Sequence, residues 1–202
     1  MSRASALKKD LISVEEYLAF EEKSKYRHEF LEGEIYQMAG GKYNHSLIAT
    51  NSIRHLSNAL DGKRCDVHGS DLRVKIDDEN YVYPDVVVVC NPKLVPNIFD
   101  TLENPQIIFE VTSKSTEYKD KEIKLKIYLQ IPCLTDYLIV SQKESRIEHY
   151  QRKTAKEWAY RVYSEPTEII KLDSIQTELT LEQIYRNVEF PVKLKIVRSK
   201  KK

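Results

Sequence analysis

Tyr83-Pro84-Asp85-Val86-Val87-Val88-Val89-Cys90 sets four valines directly behind a proline and an aspartate. Consecutive β-branched residues favour an extended chain, and the lack of polar alternation means that both faces of the strand are covered. The pattern predicts a strand over residues 82–90, buried inside a sheet. Proline has no backbone N–H to give to a ladder, so Pro84 belongs at the strand's mouth or edge. Asp85 then stands where a carboxylate costs free energy unless something partners it.

Gln106-Ile107-Ile108-Phe109-Glu110-Val111-Thr112 is a second strand of the same kind. Burying Glu110 there without a partner would cost on the order of several kcal/mol, or force its protonation. Two such acids on separate apolar strands are explained by one shared cation, or by each acid pairing with a buried Arg or Lys or capping a backbone group. Oxygen-only ligands favour Mg²⁺ or Mn²⁺ over zinc.

Working outward, Ser13-Val14-Glu15-Glu16 is a capping box that starts a helix through about Glu22. Glu32-Gly33 separates two β-prone runs and predicts a hairpin over residues 28–38. Asn44 is placed to cap a helix carrying Leu47, Ile48, Ile53, Leu56 and Leu60, with Gly62 at its stop. Leu72, Val74 and Ile76 alternate with Asp71, Arg73 and Lys75, a half-buried strand that leaves Asp71 and Arg73 as surface or supporting residues. Ser115 or Thr116 caps a helix to about Leu129, stopped by Pro132, with Ile123, Ile127 and Tyr128 inward. Residues 137–140 read as a central strand. Residues 146–151 and 158–163 form a meander, extended by residues 169–172, and residues 180–185 form a closing helix. The order predicts an α/β fold, a mixed β-sheet flanked by helices, in one domain over residues 1–202.

Composition narrows the function. The chain is 41% apolar and 31% charged, with a formal net charge of +1, so no global field advertises a polyanionic partner. The one basic cluster is Lys193, Lys195, Arg198, Lys200, Lys201 and Lys202, read as a solvated end or a phosphate-contacting arm. Cys65, Cys90 and Cys133 contain no CxxC pair, which argues against a cysteine zinc site. They suggest no disulfide framework, and Cys90 and Cys133 read as small buried hydrophobes. No apolar h-region follows Arg3, Lys8 and Lys9, and the apolar run 86–90 is too short to span a bilayer, so a cytoplasmic protein with no membrane partner is expected.

Tyr83-Pro84-Asp85 with its valines, Glu110-Val111, Ser115-Thr116, Asp120, Lys124, Tyr128, Gln130-Ile131-Pro132 and Tyr137-Leu138-Ile139-Val140-Ser141 together resemble the Uma-two family of restriction endonucleases. Phe30-Leu31-Glu32-Gly33-Glu34-Ile35, Met38-Ala39-Gly40-Gly41, His45 and Gly69-Ser70-Asp71-Leu72-Arg73-Val74 fit the same pattern, which covers about residues 13–187. That family is similar in fold to the PD-(D/E)xK nuclease superfamily. The resemblance implies Asp85 as the motif aspartate and Glu110 as its acidic partner, both binding metal. Side chains two apart on a strand share a face, and Thr112 holds the slot where such nucleases carry a lysine. The resemblance implies that this lysine is displaced to the next helix, at Lys124. Lys114 stands where relatives carry proline, and Glu32 where aspartate is usual.

The expected function is a Mg²⁺- or Mn²⁺-dependent endonuclease hydrolysing phosphodiester bonds in DNA, with Asp85, Glu110 and Lys124 catalytic. Lys119, Lys121, Lys124 and Lys126 would contact the backbone. Glu34, beside the hairpin turn, is an auxiliary ligand candidate or an exposed acid. His45, in a first helical turn, is a candidate for phosphate contact or proton transfer, or an ordinary neighbour of the cap. Cutting both strands of a duplex suits a homodimer. The alternatives are a nuclease fold that binds nucleic acid without cutting, and a protein-interaction module built on the tyrosine-rich strands of residues 150–163.

Overall fold

The computed structural model describes residues 11–38, 40–112 and 119–190, with side chains of all but 119 and 120. The expected caps Ser115 and Thr116, the departure at Lys114 and the basic cluster from Lys193 to Lys202 lie outside the described residues.

Helix α1 (Val14–Lys23) begins with the expected capping box: Glu16 N donates to Ser13 Oγ at 3.2 Å and Ser13 N to Glu16 Oε2 at 2.8 Å. Strands β1 (His28–Leu31) and β2 (Glu34–Gln37) pair antiparallel around Glu32 and Gly33. Both turn residues have positive φ, 50° and 81°, which suits a two-residue hairpin turn. Helix α2 (Tyr43–Ala59) starts two residues earlier than the sequence suggested, with Lys42 as its cap residue. Asn44 is not the cap; its amide donates 2.8 Å to the Glu189 carbonyl, tying the helix start to the far end of the chain.

Strands β3 (Cys65–Gly69), β4 (Arg73–Lys75), β5 (Tyr81–Val82), β6 (Val86–Cys90), β7 (Thr101–Leu102) and β8 (Ile107–Thr112) follow. The strand expected over residues 82–90 is two strands in two sheets. Tyr83, Pro84 and Asp85 form the corner between β5 and β6. A proline cannot donate to either ladder, so the chain changes sheets there. A π-helical turn (Lys119–Lys124) and helix α3 (Leu125–Tyr128) lead to β9 (Asp136–Ser141), β10 (Ile147–Arg152) and β11 (Trp158–Tyr163). The hairpin β12 (Ile169–Leu172) and β13 (Thr177–Thr180) and helix α4 (Leu181–Ile184) complete the order. β12 pairs with β13 rather than extending the β10–β11 meander, because a one-turn helix (Asp173–Ile175) folds it back on the next segment.

The larger sheet has the order β11-β10-β9-β8-β6-β3, antiparallel except for the parallel pair β8–β9. A smaller sheet has the order β2-β1-β5-β4-β7. One core lies between the large sheet, α2, α4 and the β12–β13 hairpin, and takes Val86, Val88, Ile107, Phe109 and Val111. The other lies between the large sheet, α3 and the small sheet, and takes Val87, Val89, Ile108, Ile127 and Tyr128. The valine run is therefore buried on both faces. Arg73 is buried too, where its guanidinium donates to Thr101 Oγ1 at 2.8 Å and to the Phe99 carbonyl at 3.0 Å, while Asp71 is exposed and pairs with Arg27.

Cys65 and Cys90 form a disulfide, contrary to the expectation of free thiols. They are directly opposite each other in the β3–β6 register, with Cα atoms 3.9 Å apart, a proximity that sequence spacing does not reveal. Cys133 keeps a free thiol, half-buried.

Candidate active site

Glu110 alternates with Phe109 and Val111, which enter the α2 core, so its side chain faces α3. There it meets Lys124, whose Nζ donates to Glu110 Oε1 at 2.8 Å, and Tyr128, whose hydroxyl donates to the same oxygen at 2.7 Å. Lys124 and Tyr128 are four apart and share a helical face. Lys124 Nζ also pairs with Glu29 Oε1 at 2.6 Å. Glu110 and Lys124 are each 4% exposed and Glu29 3%, so this is a buried triad of one cation between two carboxylates. Burial pushes the Tyr128 phenol well above its ordinary value, and the Glu110 charge adds to the shift, so the phenol remains a donor.

The β6–β8 ladder ends at the pair Val86–Phe109, and Asp85 and Glu110 are the next residues outward on the two strands. Asp85 Oδ2 accepts a 2.7 Å hydrogen bond from Val111 N, one residue past Glu110. Its Oδ1 lies 3.0 Å from His45 Nε2, on the first turn of α2. Gly41 makes room for that ring: a Cβ there would come 2.6 Å from His45 Cδ2. Two residues before Asp85, the Tyr83 hydroxyl donates 3.0 Å to Glu21, a buried carboxylate that also accepts from His28 N and faces His28 Nδ1, both at 2.9 Å. The corner that presents Asp85 is thereby anchored to α1.

The structure thus groups Asp85 with His45, and Glu110 with Lys124, at one end of two neighbouring strands. Glu34 is on the edge strand β2, where the Tyr36 hydroxyl donates to it at 2.9 Å. Of the helix lysines, Lys121 pairs with Glu148 at 2.6 Å and Lys126 is exposed; the Lys119 side chain lies outside the described residues. Glu29 was missed as a site residue. It lies in β1, whose four residues are all buried, and that burial is set by the packing of the small sheet. Carboxylate oxygens on adjacent strands fit a hard divalent cation, which keeps much of its water shell and takes one or two protein carboxylates. Among the described residues no group of three His, Cys, Asp or Glu side chains is arranged to hold a metal, so water would have to complete any such shell.

Residues 14–184 match the Uma2 family, described as "Putative restriction endonuclease". Two uncharacterized proteins of Synechocystis sp. are similar over most of their length. One, slr1290, is 36% identical over 180 residues, 89% of this chain and 94% of its own. The other, sll1609, is 36% identical over 150 residues, 73% of this chain and 85% of its own. The crystal structure of "a putative nuclease belonging to DUF820" from Anabaena variabilis shares the fold with a TM-score of 0.71 at 17% identity, covering 86% of this chain and 97% of that one. With its pattern matched from α1 to α4, the chain belongs to the Uma2 family.

Proposed function

We propose that this protein is a divalent-metal-dependent endonuclease that hydrolyses DNA phosphodiester bonds at the Asp85–Glu110 end of β6 and β8. The observation that carries the reading is the convergence of Asp85, Glu110 and Lys124 from three separate elements on one strand end. The family description and the fold neighbour support it.

Asp85 and Glu110 would hold Mg²⁺ or Mn²⁺, which when bound polarises the phosphodiester and activates water. The chain's own residues do the rest. Val111 N fixes one oxygen of Asp85 and His45 faces the other, so the carboxylate is oriented before substrate arrives. His45, 23% exposed in its side chain, can take or return a proton at Nε2. Lys124 supplies positive charge where a pentacovalent phosphate would gain negative charge, provided it moves from between its two carboxylates.

That last condition favours one second reading. Thr112 fills the usual lysine slot and Lys124 is held by Glu29 and Glu110, an arrangement that suits a nuclease fold which binds DNA without cutting it. Nicking of supercoiled plasmid with Mg²⁺ or Mn²⁺ separates the two. Nicking by the wild type, lost in Asp85→Asn and in Glu110→Gln, is expected. Nicking that survives in both variants would overturn the site, and DNA binding without nicking would favour the second reading.

A further inference from the structure

Beyond the Asp85–Glu110 pair, the same strand leads into a cavity of about 120 Å³. Thr112 lines it, two residues past Glu110 on the same face of β8, and so roughly 6.6 Å farther along the strand. Ser141 lines it from β9, directly across from Thr112 in the parallel register. Lys121, Lys143 and Arg146 bring three cations to its wall, and Glu144 and Glu148 bring two carboxylates.

Glu148 is buried, and it organises the cations. It accepts from Lys121 Nζ at 2.6 Å, from the Tyr160 hydroxyl at 3.1 Å and from Arg146 Nη2 at 3.5 Å. One carboxylate therefore holds two basic groups at the rim, and with Lys143 and Glu144 the lining carries three cations against two carboxylates. Ser141 Oγ accepts from Lys143 N at 3.2 Å, which leaves its O–H to donate to a ligand. The volume equals that of about four waters, enough for a tetrahedral oxyanion with part of its hydration. Mixed hydroxyl and guanidinium donors around a polar hole are the chemistry of phosphate capture.

We propose that this cavity binds a backbone phosphate of the nucleic acid, adjacent to the phosphate placed at Asp85 and Glu110. The distance from Glu110 to Thr112 is close to one step between phosphates along a strand, so the two positions would take successive phosphates. The proposal rests on the nuclease reading for its choice of ligand. The cavity then sets the register of the strand, and cleavage occurs one phosphate away from the one it grips.

The test is binding of a fluorescent oligonucleotide without divalent metal, measured against salt, for the wild type, Lys143→Gln, Arg146→Gln and the double variant. Lys143 is exposed and Arg146 half-exposed, so the folded state should tolerate both changes, and Thr112→Val offers a near-isosteric third variant. The expected result is about tenfold weaker binding in the double variant, with the salt slope reduced by about one for each phosphate that is no longer neutralised. Unchanged affinity and slope in the double variant, with a wild type that nicks plasmid, would overturn the proposal and leave the nuclease reading standing. The expected weakening in the double variant, with a wild type that never nicks, would leave the cavity assignment standing and remove the nuclease. A wild type that binds no oligonucleotide at low salt overturns the cavity assignment. So does inorganic phosphate displacing the oligonucleotide at equal molar concentration, since that marks a site for a free anion.

Discussion

Lys124 Nζ sits 2.8 Å from Glu110 Oε1, joining a helix to a strand across fourteen residues of chain, and both groups are almost wholly buried. Removing one member of such a pair costs more than the pair itself contributes, because the remaining charge has nowhere to go.

Lys124→Met should therefore destabilise the fold by about 3–5 kcal/mol, since it leaves Glu29 and Glu110 facing each other without a cation. Urea denaturation measures the loss. Adding Glu29→Gln to that variant should recover part of it, and a single variant as stable as the wild type would contradict the triad.

Asp85 has a structural role separable from any chemistry. Asp85→Ala strands Val111 N and should cost about 1–3 kcal/mol, whereas Asp85→Asn keeps an acceptor for that N–H and should cost less. Equal stability losses in the two variants would show that the hydrogen bond to Val111 N does not matter.

Gly41→Ala should displace the His45 ring, because the new Cβ would fall within 2.6 Å of Cδ2. The imidazole resonances of His45 should move in this variant and in Asp85→Asn alike. Resonances that stay at their wild-type positions in Gly41→Ala would mean that the loop, not the ring, gives way.

The Cys65–Cys90 bond closes a segment of 25 residues, for which loop-closure entropy predicts a contribution of about 3.5 kcal/mol. Reductant should lower the denaturation midpoint accordingly. Unfolded, unreduced protein should titrate one thiol, Cys133, whose pKa burial raises in the folded state. Three titratable thiols without reductant would rule the bond out.

Alkaline stability follows from the phenols. Burial, as the largest cause, pushes Tyr17, Tyr83, Tyr128 and Tyr185 above the ordinary value of 10.0. As pH rises past about 10 the unfolded chain loses these protons before the folded one does. Their contribution is complete below that pH and is lost as pH climbs above it. The melting temperature should fall above pH 10, and less steeply in Tyr128→Phe; a rise there would reverse the sign of the argument.

Much of this was legible in the residue order. Four valines in a row required a strand covered on both sides, and the alternation of Val86 and Val88 with Val87 and Val89 between two cores is that requirement met. The capping box at Ser13 and the Glu32-Gly33 turn are local chemistry and appear where the spacing put them. The break at Pro84 was visible as a strand boundary, but not as a change of sheet. Nothing local distinguishes a proline that starts one strand from a proline that joins two.

By itself the sequence determined most of the helices and the central strands and marked the anomalous acids, because periodicity and the cost of burying charge act within a few neighbouring residues. It singled out Asp85 and Glu110, and it named Lys124 through family likeness. Only the tertiary structure decided what those charges face. It set His45 and Val111 N on Asp85, put Glu29 on the far side of Lys124, and brought Cys65 opposite Cys90. Each of those contacts links elements whose proximity depends on how the sheets and helices pack, and no spacing along the chain encodes that distance.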